Sequence, residues 1–161
     1  MKKSILILFL LTSNLCFADN PKIVNLAKGE IGKGEIGKNN AGQYVKLYNK
    51  GLEAAWCAGF VSYVLQQAGF TDLDYSLSAK TLYNQAKSKN RVVLQPQAGY
   101  IIIFWRDNPK SWKGHAGIVE NVSKDYIFTI EANTGPYPSI IKRIKYKRDD
   151  VPKLLGYIKT D

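Results

Sequence analysis

The sequence predicts an α+β domain in which N-terminal helices pack on an antiparallel β-sheet. Helical spacing of apolar residues is confined to the part of the chain before Asn90, and segments rich in Ile, Val, Tyr and Phe, separated by turn residues, follow it. The chain has 161 residues, of which 45% are hydrophobic and 22% are charged. This length and composition are typical of one globular domain with its own core.

The first eighteen residues are predicted to be a secretory signal peptide. Lys2 and Lys3 precede the apolar run 5–11, and the segment closes with the small residue Ala18. The run is shorter than the roughly 20 apolar residues that a membrane-spanning helix needs. We therefore expect cleavage after Ala18, a secreted or periplasmic location, and a single mature domain over residues 19–161. An uncleaved N-terminal anchor is one alternative. Lipoprotein processing at Cys16 is a weaker one, because Leu15 stands before it where a small residue is expected.

Two helices and a loop are expected in the first part of the mature chain. Asn20 and Pro21 combine an N-cap residue with proline at the first helical position, so they open the first helix. Residues 29–38 contain the sequence G-E-I-G-K twice, and their glycines predict a loop. Asn40 is a candidate cap for a short second helix that carries Tyr44.

The strongest helix is predicted from Trp56 to Ala68. Its apolar residues recur at three- and four-residue spacing, and Gly69 follows as a C-terminal stop. A fourth helix is expected over residues 78–89. The strand-like segments that follow are Arg91–Leu94, Gly99–Trp105, His115–Val122, Tyr126–Asn133, Ile140–Tyr146 and Leu154–Lys159.

Cys57 is the first candidate for chemistry. It is the only cysteine left once a signal peptide containing Cys16 is removed. It falls in the first turn of the strongest helix, where the helix dipole stabilises a thiolate and lowers the thiol pKa. A free cysteine is also a common small apolar core residue, so position alone leaves both interpretations open.

His115 is the only histidine of the chain. A thiol nucleophile needs a general base, and if a histidine serves Cys57 in that role it is His115. One histidine and one mature cysteine are too few for a zinc site of about four ligands. We therefore expect no structural metal and no disulfide.

A third polar residue is expected beside His115 from a hairpin argument. A three-residue loop at 122–124 would place Glu131 opposite His115, and one bulge or a two-residue slip would place Asn133 there. Glu131 and Asn133 share a face because strand side chains alternate. Either can accept a hydrogen bond from the imidazole and fix its tautomer. Glu120 is the competitor, and strand alternation directs it to the opposite face from His115.

Three segments in this order resemble a CHAP domain: W-C-A-G-F-V-S at 56–62, G-H-A-G-I-V at 114–119 and I-E-A-N-T at 130–134. CHAP domains are cysteine, histidine-dependent amidohydrolases/peptidases, related to the NlpC/P60 group of papain-like cysteine peptidases. The resemblance extends over most of the mature chain. It implies a papain-like, NlpC/P60-type fold.

The resemblance also implies the site residues. Cys57 would be the nucleophile, His115 the general base and acid, Glu131 the orienting carboxylate and Asn133 a supporting polar group. The family cuts amide bonds of peptidoglycan, and no cofactor or metal is implied. One departure concerns Tyr100, which stands where members usually carry an aspartate, so the geometry of the loop before it is left open.

The expected function is that of a secreted, monomeric amidase or endopeptidase of peptidoglycan. One alternative is an antibacterial toxin with the same chemistry, which would have an immunity protein as a partner; another is a non-catalytic cell-wall-binding module. The net charge of +10, or +8 without Lys2 and Lys3, favours contact with anionic envelope polymers. Arg143, Lys145 and Lys147 would form one basic strand face, which is interpreted first as a solvated surface. No nucleic-acid-binding motif is visible, so nucleic acid is not an expected partner.

Overall fold

The computed structural model describes residues 20–161, so the predicted signal peptide lies outside the described residues. Four helices precede six strands, which confirms the α+β class. The helices are α1 (Pro21–Gly29), α2 (Gln43–Tyr48), α3 (Cys57–Ala68) and α4 (Ala79–Ser88). The strands are β1 (Val92–Val93), β2 (Ile101–Trp105), β3 (Gly114–Val122), β4 (Tyr126–Glu131), β5 (Lys142–Lys147) and β6 (Leu154–Ile158). Within residues 20–161, no helix has the length and apolar content that crossing a membrane requires.

The strands form one antiparallel sheet in the order β1-β6-β2-β3-β4-β5. β2 and β3 are therefore interior strands, and β3 is the one that carries His115. The helices cover one face of the sheet, as consecutive residues of β2 show. Ile101 and Ile103 belong to the large apolar cluster built with the helices, whereas Ile102 and Phe104 belong to a smaller cluster on the other face.

The first helix begins as the sequence predicts, but the second does not. The Asn20 side chain accepts a hydrogen bond from the backbone N–H of Ile23 at 3.4 Å, so it caps α1. The predicted cap of α2 at Asn40 is wrong, because the N-cap residue is Gly42. Asn40 instead adopts a positive φ of 55° and donates its backbone N–H to Glu35 at 2.9 Å.

The hairpin between β3 and β4 corrects the expected register. The loop is not residues 122–124: Ser123 and Tyr126 close the turn, with the N–H of Ser123 donating to the carbonyl of Tyr126 at 2.8 Å. The register then shifts between Val119 and Asn121, where Glu120 forms a bulge. As a result Glu131 pairs with Gly117 and not with His115.

The observed register is the two-residue slip that would bring Asn133 opposite His115. Asn133 nevertheless does not pair with His115. β4 ends at Glu131, and Asn133 lies beyond the strand with a positive φ of 54°. The expected strand Tyr126–Asn133 is thus two residues too long. The left-handed backbone at Asn133 turns the chain out of the sheet directly after Glu131.

The loop before β2 is a tight turn that accommodates Tyr100. Gly99 has a φ of 89°, and the N–H of Tyr100 donates to the carbonyl of Gln97 at 3.1 Å. The buried Tyr100 ring joins the smaller apolar cluster, and its hydroxyl donates to Oδ2 of Asp161 at 3.1 Å. The residue that departs from the family pattern is therefore held by packing and by the C-terminal residue.

The basic stripe expected on β5 is partly neutralised. The Arg143 guanidinium donates to both carboxylate oxygens of Glu120, with Nε to Oε2 at 2.7 Å. The Lys145 ammonium lies 4.5 Å from the centre of the Tyr126 ring. Since β5 is an edge strand, exposed cations along it also discourage pairing with another chain.

Candidate active site

Cys57 is the first residue of α3 and follows the fully buried Trp56. Its backbone N–H is one of those that a helix start leaves without an intrahelical acceptor. Its side chain lies at the positive end of the helix dipole, and the residue is 8% exposed. Gly59 allows this placement, because a Cβ there would lie 2.6 Å from the carbonyl oxygen of Tyr48.

His115 lies at the start of β3, opposite Phe104 of β2. The imidazole is 6% exposed, and its ring centre is 5.7 Å from that of Phe104. Its Nε2 is 2.8 Å from Oε2 of Glu131. A carboxylate at this distance fixes the ring so that Nε2 carries the proton and Nδ1 is left as the base.

Glu131 is 1% exposed and is held by two hydroxyl groups besides the imidazole. Thr129 Oγ1 donates to its Oε1 at 2.6 Å, and the Tyr146 hydroxyl donates to the same oxygen at 3.0 Å. Burial, together with the charge and hydrogen bond of Glu131, raises the pKa of Tyr146, so its hydroxyl stays protonated. The carboxylate is therefore oriented from both ends.

Gly117 explains how Glu131 reaches a histidine two residues away along the strand. Glu131 pairs with Gly117, and a Cβ at Gly117 would lie 2.6 Å from Cγ of Glu131. The missing side chain lets the glutamate lie across β3 toward His115. The G-H-A-G segment thus supplies both the imidazole and the space for its partner.

Cys57 and His115 form an electrostatically coupled pair. Burial raises the pKa of the Cys57 thiol, but the interaction with His115, the Ala116 backbone N–H and the charge of Arg106 outweigh it and hold the pKa below the usual 9.0. Burial lowers the pKa of His115, but interactions with Cys57 and Glu131 outweigh that effect and raise it to about 9. These directions favour a thiolate and an imidazolium over the neutral pair.

Nδ1 of His115, the ring nitrogen on the side of Cys57, is free to take the proton of the thiol. Among residues 20–161, Nδ1 of His115 has no aligned hydrogen-bond partner although it is buried and the Cys57 side chain lies beside it. Such loose contacts between a nucleophile and its base are common before substrate binds. The arrangement can thus generate a sulfur nucleophile and return the proton to a leaving group.

Asn133 lies at the cavity that opens beside Cys57 and does not bond to His115. The cavity has a volume of about 260 Å³. It is lined by Ala55, Cys57, Leu77, Ser78, Ala79, Arg106, Trp112, Lys113, Gly114 and Asn133. The structure thus brings Cys57, His115 and Glu131 into one chain of contacts and places Asn133 on the adjoining wall.

Glu120 lies away from this arrangement. Its carboxylate is bonded to Arg143, and the Lys28 ammonium is 3.6 Å from its Oε1. The pKa of Glu120 is lowered, chiefly by the hydrogen bond from Arg143. It is therefore Glu131, and not Glu120, that contacts the histidine.

Glu35 is a supporting residue that sequence reasoning missed. It is 6% exposed, and its carboxylate accepts three N–H groups: Trp56 Nε1 at 3.2 Å, the Ser139 backbone at 2.8 Å and the Asn40 backbone at 2.9 Å. It therefore joins the G-E-I-G-K loop to the residue before Cys57 and to the segment after Asn133. The only signal in the sequence is its place in the repeat, where Glu30 stands at the equivalent position.

Replacing Glu35 with alanine is expected to lower the free energy of unfolding by about 3 kcal/mol, because two buried N–H groups and the half-buried N–H of Asn40 lose their acceptor. Glu30→Ala is the matched control from the other copy of the repeat. Glu30 accepts from the Tyr48 hydroxyl at 2.6 Å and from the partly exposed Lys33, so its loss should cost about 1 kcal/mol. Denaturant unfolding of both variants measures the difference, and an equal or reversed order would contradict the role given to Glu35.

The described residues 20–161 contain no group of three or more His, Cys, Asp and Glu side chains placed to hold a metal ion. Glu131 bonds to Thr129, Tyr146 and His115.

Comparison with known proteins agrees with this geometry. The model of the CHAP domain family matches residues 48–133, which include Cys57, His115, Glu131 and Asn133. No curated protein matches the chain. The fold is similar to two solved structures of Ly7917, one of them with the hydrolyzing product of MDP. The first has a TM-score of 0.55 at 16% identity, and the second has a TM-score of 0.52 at 18% identity.

Each of those comparisons covers 87% of this chain and 62% of the Ly7917 chain, so the protein spans about three fifths of the neighbour's length. At this level of identity the likeness concerns the fold. The family model, by contrast, covers more than half of the present sequence. The matched residues contain both the cysteine at the start of α3 and the buried histidine. The chain therefore belongs to the CHAP domain family.

Proposed function

We propose that the protein is a secreted cysteine amidase or endopeptidase that hydrolyses amide bonds of peptidoglycan. The observation that carries the proposal is the contact chain from Cys57 at the start of α3 to His115 and on to the buried carboxylate of Glu131. Membership of the CHAP family supports the substrate, as does the structure of Ly7917 with the hydrolyzing product of MDP.

The proposed reaction begins with attack of the Cys57 sulfur on the carbonyl carbon of an amide. Nδ1 of His115 takes the thiol proton, and Glu131 stabilises the imidazolium that results. The tetrahedral intermediate carries its negative charge on oxygen, and the backbone N–H of Cys57 is a donor available to it. His115 then protonates the leaving amine, and water hydrolyses the thioester to regenerate the thiol.

The decisive experiment is digestion of purified peptidoglycan with the mature protein, followed by mass spectrometry of the soluble fragments. We expect fragments that carry a new amine and a new carboxyl group, with one water added for each bond cut. Binding to the wall without release of fragments would favour the non-catalytic binding module instead. Killing of other bacteria that is suppressed by an immunity protein would assign the same chemistry to a toxin.

Export is part of the proposal, and it rests on Lys2, Lys3, the apolar run 5–11 and Ala18. We expect the exported protein to begin at Asp19, give or take a few residues. N-terminal sequencing of protein recovered outside the cytoplasm measures this directly. A sequence that still begins at Met1 would show that the segment is retained.

Turnover is expected to follow a bell-shaped pH profile. At low pH, activity is lost as the Cys57 thiolate is protonated, and this limb should lie below the usual thiol pKa of 9.0 because the pKa is lowered. At high pH, activity is lost as the imidazolium of His115, with its pKa raised to about 9, gives up the proton needed by the leaving amine. The measurement is kcat/KM on one soluble fragment across the range, and a rate that keeps rising above the His115 pKa would contradict the proton-donor role.

A further inference from the structure

Arg106 is a cation that lies beside Cys57. The Arg106 side chain makes no hydrogen bond or ion pair within the described part of the chain. The residue follows β2 directly, and its backbone N–H donates to the carbonyl of Lys113 at 3.2 Å. This continues the pairing of β2 with β3, in which Trp105 faces Gly114 and Phe104 faces His115. Because strand side chains alternate, Arg106 lies on the same face as Phe104 and His115.

The cavity beside Cys57 has a positive lining. Arg106 and Lys113 are its charged side chains, and no aspartate or glutamate of residues 20–161 lines it. Lys113 is already paired, with Nζ 3.0 Å from Oδ2 of Asp107. The exposed Arg106 guanidinium has no ion pair or hydrogen bond from its side chain within the same residues. It therefore remains as the group available to an anion entering the cavity.

Arg106 also borders the second cavity of the site, a space of about 370 Å³ that reaches His115 and Glu131. A group held by Arg106 would thus lie next to both the sulfur and the imidazole. A guanidinium presents a planar fork of N–H donors that matches a carboxylate in bidentate geometry. An unpaired guanidinium at this position is suited to a carboxylate on the substrate.

We propose that Arg106 selects substrates that carry a free carboxylate on the residue adjoining the scissile amide. The inference rests on the proposed amide hydrolysis at Cys57 and specifies its substrate. Apart from the paired Lys113 and the neutral polar Asn133, the remaining lining is apolar or small, with Leu77 and Trp112 exposed at 37% and 77%. The Arg106 contact is therefore the charged element of recognition. Conversion of the carboxylate to a carboxamide removes the charge and leaves the shape of the substrate almost unchanged.

The test uses one stem peptide in two forms, synthesised once mass spectrometry has located the cleaved bond. One form has a free carboxyl group on the adjoining residue, and the other has a carboxamide. We expect kcat/KM to favour the acid by about 10- to 100-fold, the range of a charged hydrogen bond. Arg106→Gln should bring the ratio of the two rates close to one, and Arg106→Lys should leave an intermediate ratio.

The ratio separates recognition from other effects of Arg106. If the guanidinium only lowers the pKa of Cys57 or stabilises the oxyanion, Arg106→Gln slows both substrates equally and the preference persists, which would overturn the inference. Lys110→Gln removes an exposed cation from the same loop but outside the cavity, and it should leave the ratio as in the parent protein.

Binding provides a readout that does not depend on turnover. Calorimetry with the Cys57→Ala protein is expected to show tighter binding of the acid than of the amide, and the difference should vanish in the double variant with Arg106→Gln. Equal Cys57-dependent hydrolysis of both peptides, with equal binding, would refute the role of Arg106 while leaving the hydrolase intact. If peptidoglycan is cut but neither peptide is hydrolysed or bound, the inference is refuted and the hydrolase stands. Failure to release any fragment from peptidoglycan would refute the inference and the proposed function together.

Discussion

Cys57→Ala is expected to lower the release of muropeptides by about 10³-fold or more while the protein stays folded. The reason is that the sulfur is the atom that would form the covalent bond to the substrate, and no other cysteine occurs within residues 20–161. The measurement is the rate of fragment release from purified peptidoglycan, with circular dichroism as the check of folding.

Gln67→Ala is the matched control, because Gln67 is exposed on the same helix and lies outside the cavity at Cys57. It should release fragments at the rate of the parent protein. Undiminished release by a folded Cys57→Ala protein would overturn the proposed nucleophile. Loss of activity in both variants would point to damage to α3 and not to chemistry at the sulfur.

Glu131→Gln is expected to lower turnover by about 10³- to 10⁴-fold, although it keeps the size of the side chain. Oε1 accepts hydroxyl hydrogens from Thr129 and Tyr146, so the carbonyl oxygen of a glutamine must take that position. The amide NH₂ would then face Nε2 of His115 and donate to it. The imidazole proton would move to Nδ1, and the nitrogen beside Cys57 would no longer be a base.

Glu120→Ala serves as the comparison, because Glu120 lies on β3 with His115, whereas Glu131 lies on β4. The Glu120 carboxylate bonds to Arg143 and lies near Lys28, so its loss should leave turnover near that of the parent protein. Both variants are assayed on the same peptidoglycan preparation. If Glu120→Ala lost turnover while Glu131→Gln kept it, the residue that orients His115 would have to be reassigned.

The hairpin shows how much of this site the sequence could predict. Strand alternation correctly grouped Glu131 with His115, yet the expected pairing was wrong by two residues. The turn closes between Ser123 and Tyr126, and the bulge at Glu120 adds one residue to β3. These two features shift the register by an even number in total, so the face is preserved although the partner changes. Neither feature has a sequence signal as strong as the alternation itself.

The contacts of Glu35 that support the site could not be predicted from the sequence, for a different reason. Glu35 and Glu30 occupy equivalent places in identical pentapeptides, so local patterns cannot distinguish them. Their environments differ because Glu35 meets Trp56 and Ser139, the latter 104 residues away in the chain. The limits of α3, by contrast, follow from local chemistry, since this helix begins and ends within one residue of its predicted bounds.

The unequal burial of two tryptophans that flank the site gives the protein separate optical reporters. Trp56 is completely buried and donates to Glu35, so its emission should be blue-shifted and insensitive to aqueous quenchers until the fold opens. Trp112 is 77% exposed on the rim of the cavity beside Cys57, so iodide should quench it readily. A ligand that fills the cavity would shield Trp112 and leave Trp56 unchanged. With Trp105, the third tryptophan, replaced by phenylalanine, occupancy and unfolding can therefore be followed in one sample as two distinct fluorescence signals.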